Sequence, residues 1–147
     1  MHSLDFHGFI LAFGIKHGEA FLGAGSDLAG SLRNPAHYCG IFAHKPSWGL
    51  IPTRGHSPGA ALTPTDISVV GPLARHAEDL ALAMRALAGP EILQQAAWRI
   101  ELPPPRHARL GDFRVAICTE SPLCEIDASV REGFDAATAA LIRSGAA

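Results

Sequence analysis

The stretch that decides this sequence runs Gly25-Ser26-Asp27-Leu28-Ala29-Gly30-Ser31-Leu32-Arg33-Asn34-Pro35, and the apolar run Ala20-Phe21-Leu22 leads into it. Glycine and alanine leave backbone N–H groups unshielded, so a turn built from them can present several donors to one ligand atom. A serine at the end of such a turn adds a hydroxyl beside those donors. The combination predicts an acyl-transfer site, in which a nucleophile lies next to a preformed oxyanion hole.

The segments nearest this stretch alternate between helical and extended patterns. Residues 4–16 are apolar and rich in phenylalanine, which indicates a short helix or a buried segment. Residues 20–24 are typical of a short strand that enters the glycine turn. After Ser31 a short helix is predicted through Tyr38, with Gly40 as its stop, and a brief buried strand over residues 41–44.

Further along the chain, the pattern continues as loop, strand and helix. Residues 53–64 are rich in Gly, Pro, Ser and Thr and predict an ordered surface loop, and residues 68–73 form an apolar run that ends in a Gly-Pro turn. A helix is predicted from about residue 76 to residue 87, because apolar residues recur at i, i+3, i+4 and i+7. Residues 113–118 alternate and predict a strand. The last predicted helix is capped by Asp127, and its apolar face comprises Val130, Phe134, Ala137 and Leu141.

Composition excludes several function classes. The chain has 147 residues, an apolar content of 48% and a formal charge of −2, which gives no electrostatic reason to expect nucleic acid or an anionic membrane as a partner. Its three cysteines, Cys39, Cys118 and Cys124, show no CxxC pair, which indicates a reducing, cytoplasmic setting. Cys118 and Cys124 could pair in space, but we expect buried free thiols. No apolar run is long enough to span a membrane, no basic signal segment opens the chain, and the eight histidines lack metal-binding spacing.

Two apparent motifs carry no function. Gly25-x-x-x-x-Gly30-Ser31 matches a phosphate loop except for its lysine, and without that charge the phosphates lose their main side-chain partner. Gly55-His56-Ser57-Pro58-Gly59 matches a nucleophile elbow, but the residue after the serine must donate an N–H to the oxyanion. Pro58 has no N–H, so we treat the match as chance.

The glycine turn does not stand alone, because further blocks follow it in order. They are Cys39-Gly40, His44-Lys45-Pro46-Ser47-Trp48-Gly49, Asp66-Ile67-Ser68-Val69-Val70-Gly71-Pro72-Leu73-Ala74-Arg75 and Glu78-Asp79-Leu80-Ala81. With the turn, this set resembles the amidase signature family, whose pattern reads S-D-x-G-G-S-[IL]-R-x-P-A, C-G, K-P-[TS]-x-G and D-x-x-G-P-[ML]-A-R, then a helix containing D-L or D-A. The resemblance covers about residues 22 to 145.

The resemblance implies a fold and a chemistry. The fold would be α/β, a mixed central sheet flanked by helices, with residues 1–147 forming part of one larger domain. The chemistry would be hydrolysis of a small-molecule amide through a Ser–Ser–Lys triad, without a metal or other cofactor. By resemblance Ser31 is the nucleophile, and the backbone N–H groups of Leu28, Ala29, Gly30 and Ser31 form the oxyanion hole. Ala29 departs from the pattern's glycine, and alanine would be strained there if that position required a positive φ.

The family's other two catalytic residues are not found in the sequence. A bridging serine would lie in a Gly-Ser-rich segment about two dozen residues before the nucleophile, a spacing that falls near His7-Gly8 here. The general-base lysine would lie further upstream, so the N-terminal lysine and Gly-Ser-rich segments, like the C-terminal part of the domain, are expected to be absent. Lys16 is too near Ser31 in sequence, and Lys45 matches the K-P-[TS] block instead.

Other polar residues near the turn are predicted to be structural. We expect Asp27 to hold the turn backbone and Arg33 to pair with Asp27 or Asp66. His37 and His44 are predicted to pack or to line a pocket, and Cys39 to lie in the core.

Two functional hypotheses remain. The first is an amidase-type hydrolase fragment that forms an acyl-enzyme on Ser31, with weak or no activity as given. The second is a non-catalytic remnant that keeps the scaffold but lacks the general base. Under both hypotheses, we expect the chain to expose surfaces that the rest of a larger domain would cover. Such surfaces favour marginal solubility or association with another copy of the chain.

Overall fold

The computed structural model describes residues 3–56, 66–120 and 122–147. It divides into two compact units, Met1–Leu102 and Pro103–Ala147. Residues 53–56 form a turn, in which the His56 N–H donates to the Thr53 carbonyl over 3.1 Å. The remainder of the surface loop predicted over residues 53–64 lies outside the described residues.

The described part of the first unit contains three helices and three strands. In chain order they are α1 Ser3–His17, β1 Leu22–Asp27, α2 Arg33–Cys39, β2 Phe42–Ala43, β3 Val69–Ala74 and α3 Ala77–Leu87. The predicted helices over residues 4–16 and 76–87 and the helix that follows Ser31 are confirmed. Gly40 ends α2 with a φ of 66°, and its N–H reaches the carbonyls of Ala36 and His37. Glycine adopts this left-handed conformation readily, which explains why the helix stops there.

The three strands form an antiparallel sheet in the order β1-β3-β2. β1 pairs with β3 along its whole length, from Leu22 opposite Ala74 to Asp27 opposite Val69, and β2 pairs with Leu73 and Ala74. The predicted α/β class is confirmed. The mixed pairing implied by the resemblance is not seen among these three strands, which are all antiparallel.

The predicted Gly-Pro turn after residue 70 is wrong, because Gly71 and Pro72 lie inside β3. Every residue of β3 is buried. A Cβ at Gly71 would collide with the His44 carbonyl oxygen and would lie 2.8 Å from Leu32 Cδ1. Because glycine has no side chain, a neighbouring backbone can approach closely at this position, and the strand continues through it. The Pro72 carbonyl accepts from the His44 N–H over 3.0 Å.

The core of the first unit joins α1, α2 and the sheet. Its largest fully buried side chains include Ile15 of α1, Leu73 of β3, and Leu32 just before α2, and the cluster is completed by Ala12, Ala36 and Cys39. Leu32 directly follows Ser31 in the chain. The core therefore anchors one side of the predicted nucleophile turn.

The second unit contains a 3-10 turn, Leu110–Asp112, and the helix α4, Ala128–Arg143. Asp127 caps α4 as predicted, because its carboxylate accepts the Ser129 N–H over 2.8 Å. The strand predicted over residues 113–118 is wrong. That segment is irregular. The Phe113 N–H donates to the Leu110 carbonyl, the Val115 N–H donates to the Ala147 carbonyl, and the Ala147 N–H donates to the Phe113 carbonyl. The alternating pattern showed that the segment could pair, but the described residues provide no strand beside it.

The cysteine prediction is half right. All three thiols are free, and Cys39 is buried as expected, but Cys118 and Cys124 are exposed. Both lie in irregular segments of the second unit that pack little apolar surface around them. Separately, no helix in the described ranges is long and apolar enough to cross a membrane.

Candidate active site

The centre of the site is the carboxylate of Asp27, the last residue of β1, which is fully buried. Its Oδ1 accepts from the Gly30 N–H over 2.8 Å and from Arg33 Nη2 over 3.0 Å. Its Oδ2 accepts from the Leu32 N–H over 3.2 Å, from the Arg33 N–H over 3.4 Å and from Arg33 Nε over 3.0 Å. The carboxylate thus holds the turn at several points, as predicted for Asp27. The Arg33 ion pair is made with Asp27 rather than with Asp66.

These contacts fix the charge of Asp27. Burial by itself raises the pKa of this carboxyl. The hydrogen bonds from the Arg33 side chain, Gly30 and Leu32, together with the Arg33 charge, outweigh burial and lower the pKa from 3.8 to about 2. Asp27 is therefore ionised at neutral pH and acts as an acceptor of hydrogen bonds, not as a proton donor.

Ser31 lies between two residues whose N–H groups donate to Asp27. Gly30 precedes it and Leu32 follows it, so the two residues that flank the serine are held by one carboxylate. Ser31 itself is partly buried. The turn then runs directly into α2, which begins at Arg33. This arrangement fixes the backbone of the predicted nucleophile without using its side chain.

Glycine is required at residue 30 of this turn. Gly30 has a φ of 126°, and an added Cβ would lie 2.9 Å from Asn34 Nδ2. The Gly30 carbonyl also accepts from the Asn34 N–H over 2.8 Å. Ala29, by contrast, is not strained, because the one non-glycine residue with positive φ among those described is Ile67. The departure from the family pattern at residue 29 therefore carries no backbone penalty.

The four residues of the predicted oxyanion hole differ in their surroundings. Leu28 and Ala29 are exposed, Ser31 is partly buried and Gly30 is buried. The Gly30 N–H already donates to Asp27 over 2.8 Å. The roles of Ser31 as nucleophile and of these N–H groups stay predictions.

Helix α1 reaches the site at Gly8. A Cβ placed on Gly8 would lie 2.6 Å from the Ser31 carbonyl oxygen and 3.1 Å from Pro35 Cγ. The spacing of the resemblance would place the bridging serine near His7-Gly8. The structure brings Gly8, one residue of that pair, against Ser31, and glycine carries no hydroxyl. The spacing alone does not predict this contact, which joins distant segments.

The remaining predicted residues lie around the turn without converging on it. His37 packs edge-on against Tyr38 at 5.2 Å, and Tyr38 packs against Phe9 at 5.8 Å. His44 and Lys16 are exposed, Lys45 is partly exposed, and Cys39 is in the core. Within residues 3–56, 66–120 and 122–147, no group of His, Cys, Asp or Glu side chains could hold a metal ion.

One cavity of the first unit is not predicted by the sequence pattern. It measures about 120 Å³ and lies between Trp48, Trp98 and Ile51, and Ser31 is not among its lining residues. Glu91 beside it binds the N–H groups of Thr53 and Arg54 and the Arg54 side chain. The two tryptophans are visible in the sequence, but long-range packing decides that both line this cavity.

The glycine turn, with its Asp27–Arg33 ion pair, lies on an α/β scaffold. Comparison with known proteins identifies the family, because the family model "Amidase" matches residues 14–147. The chain belongs to the amidase family.

Several curated relatives share this region. The chain is 46% identical over 71 residues to fatty-acid amide hydrolase 2 of Homo sapiens, covering 48% of this chain and 13% of the relative. It is 37% identical over 110 residues to a subunit of the glutamyl-tRNA(Gln) amidotransferase of Thermus thermophilus, covering 69% of this chain and 22% of the relative. With the same subunit of Geobacillus kaustophilus it is 32% identical over 139 residues, 92% of this chain and 28% of the relative. The chain therefore spans less than a third of the length of each of these relatives.

Proposed function

We propose that this chain carries the nucleophile segment of an amide-hydrolysing site, with Ser31 as the attacking residue. The observation that carries the proposal is the Asp27 carboxylate, which accepts the backbone N–H groups of the residues before and after Ser31. Preorganised backbone of this kind lowers the barrier to acyl transfer because little reorganisation is needed as charge develops. The names of the relatives, an amide hydrolase and a component of an amidotransferase, agree with chemistry at an amide carbonyl.

In this reaction the Ser31 Oγ forms a bond to the amide carbonyl carbon, and the carbonyl oxygen becomes an oxyanion. The N–H groups of Leu28 and Ala29, on the exposed side of the turn, are the donors best placed to meet substrate arriving from solvent. The C–N bond then breaks, and the serine proton goes to the leaving amine through a general base. Water finally hydrolyses the acyl-enzyme ester and regenerates Ser31.

The second candidate is a scaffold that retains the turn without catalysing the reaction. The observation that favours it is Gly8, which lies against the Ser31 carbonyl near the part of the chain where the resemblance would place a bridging serine. A serine without an activating partner has a pKa far above neutrality. Loss of the partners of a serine triad lowers kcat by roughly 10³-fold or more.

A fluorophosphonate probe separates the two candidates. Hydrolase chemistry predicts rapid covalent labelling at Ser31, found by peptide mass spectrometry and abolished in Ser31→Ala. Ser26→Ala is the matched control, because Ser26 lies in the same stretch five residues before Ser31, and it should leave labelling intact. If the folded chain is not labelled, the catalytic proposal fails and the scaffold candidate stands.

A further inference from the structure

The cavity beside Trp48 and Trp98 is built from three separate segments of the first unit. They are residues 48–53, residues 68–69 and residues 89–100. The Gly89 N–H donates to the Leu50 carbonyl over 3.0 Å and ties the first segment to the third. The Trp98 N–H donates to the Gln94 carbonyl over 3.2 Å, which holds that tryptophan at the end of a short turn. The walls are thus connected by backbone bonds rather than by side-chain contact alone.

Most of the lining is apolar, and the single ionised group in it is already paired. Ile51, Pro52 and Val69 join the two tryptophans in the wall. Oε1 of Glu91 accepts the N–H groups of Thr53 and Arg54 over 3.0 and 3.2 Å, and Oε2 pairs with Arg54 Nε over 3.2 Å. A carboxylate satisfied in this way offers little to a ligand cation. The hydroxyls of Thr53 and Ser68 and the amide of Gln94 are the neutral polar side-chain groups at the wall.

The volume sets the size of what can bind. The cavity measures about 120 Å³, somewhat smaller than an apolar cavity of about 150 Å³ that holds benzene. A ring of about six non-hydrogen atoms is therefore close to the upper limit for this space. Trp48 and Trp98 are 56% and 58% exposed, so a bound molecule would also cover indole surface that now faces water.

We propose that this cavity is a binding site for a small neutral organic molecule, whose apolar ring or short chain packs between Trp48 and Trp98. One hydrogen-bonding end of the molecule meets Ser68 or Gln94. The site is separate from the predicted nucleophile, because Ser31 does not line it, and binding here does not depend on the proposed function.

The chain supplies its own reporter for this site, because its two tryptophans both line the cavity. Titration of the full chain with cyclohexanol should shift the tryptophan emission to shorter wavelength and saturate with a Kd on the order of 1 mM. The cyclohexylammonium ion has the same ring but carries a charge that must be desolvated, so it should bind at least about tenfold more weakly at equal ionic strength. An unsaturable response, or equal responses to the two probes, overturns the proposal.

A filling variant tests the location. Gly89 lines the cavity, and a Cβ added to it meets no atom within 4 Å, so Gly89→Leu adds an apolar side chain at the wall from a position that has room for its Cβ. It should abolish the saturable shift. Gly133→Leu is the matched control, since Gly133 on α4 also has open space around its Cβ and does not line the cavity. A saturable shift that survives in folded Gly89→Leu contradicts the assignment.

Single-tryptophan variants keep the test decisive if Gly89→Leu does not fold, as judged by circular dichroism. In Trp48→Phe and in Trp98→Phe the remaining indole should still report a saturable shift, with weaker binding in both because each variant changes one wall of the site. Saturation seen by one indole alone would show that the probe does not occupy a single site between them.

Discussion

At the scale of single residues, the site depends on Asp27. Its carboxylate is removed from water, and it stays ionised because its oxygens accept from backbone N–H groups and from Arg33. A buried charge of this kind is tolerated only when its hydrogen-bonding capacity is used. The residue therefore links the stability of the chain to the geometry around Ser31.

Asp27→Asn should lower the free energy of unfolding by about 1–3 kcal/mol at neutral pH, because it removes the ion pair and weakens several charge-assisted hydrogen bonds. The expected loss is modest because the Arg33 side chain is 55% exposed and its charge is screened. Urea denaturation followed by circular dichroism measures the change. Asp135→Asn, at an exposed position of α4, is the control and should change stability by less than about 0.5 kcal/mol.

The same substitution should change the response to acid. The pKa of Asp27 is about 2 in the folded chain against an ordinary 3.8, so the unfolded state binds more protons between these values. The stabilisation by Asp27 is present above pH 3.8 and is lost as the pH falls towards 2. The stability difference between the natural chain and Asp27→Asn should therefore shrink over this window. A difference that stays constant down to about pH 2 would contradict the assigned cause.

At the scale of elements, the sequence predicts best what local chemistry determines. The regular apolar spacing predicts α3, Asp127 marks the start of α4, and Gly40 marks the end of α2. The strand over residues 113–118 fails because alternation reports that a segment can pair, whereas a strand needs a partner. The predicted turn at Gly71-Pro72 is wrong for a related reason, because only the fold shows that the His44 backbone passes beside that glycine.

The same difference between local and long-range contacts decides which parts of the candidate site could be predicted. The Asp27–Arg33 pair could be predicted because the two residues are six positions apart and belong to one turn. The contact of Gly8 with Ser31 and the placement of Trp48 and Trp98 at one cavity involve residues far apart in the chain. Those depend on how α1 and the loops pack, which periodicity does not specify.

The packing of α1 on the nucleophile turn gives a prediction at the element scale. Gly8→Ala should destabilise the chain, because the new Cβ would lie 2.6 Å from the Ser31 carbonyl oxygen and one of the two must move. Gly133→Ala on α4 should instead stabilise α4 by about 0.5–1 kcal/mol, as alanine normally does in open helix positions. Chemical denaturation of both variants tests the opposite signs. A Gly8→Ala variant as stable as the natural chain would show that α1 does not press on the turn.

At the scale of the whole molecule, much apolar surface remains in contact with water. Phe21, which is 75% exposed, together with Tyr38 and Phe42, belongs to a large set of exposed apolar side chains in the first unit. Soluble monomers seldom leave large contiguous apolar patches uncovered, and such patches favour association. The prediction that residues 1–147 form part of one amidase domain, within which such surface would be covered, stays a prediction.

We expect the isolated chain to associate with itself or to unfold at a low temperature. Sedimentation velocity should show species larger than the monomer, and Phe21→Ser combined with Phe42→Ser should reduce them. The double variant is compared with Leu123→Ser, which removes an exposed side chain of the second unit. A monomer that melts cooperatively above about 50 °C would contradict this expectation.

The Asp27–Arg33 pairing has a consequence for the order of folding. The two residues are six positions apart, so the ring that they close forms at small cost in chain entropy. The pairing of Asp27 with Val69 in the sheet closes a far longer loop, which is entropically more demanding. Short-range closure precedes long-range pairing in general. The turn from Asp27 to Arg33 is therefore expected to form early and to persist transiently while the sheet is still open, so that the backbone around Ser31 takes its shape before the rest of the domain closes over it.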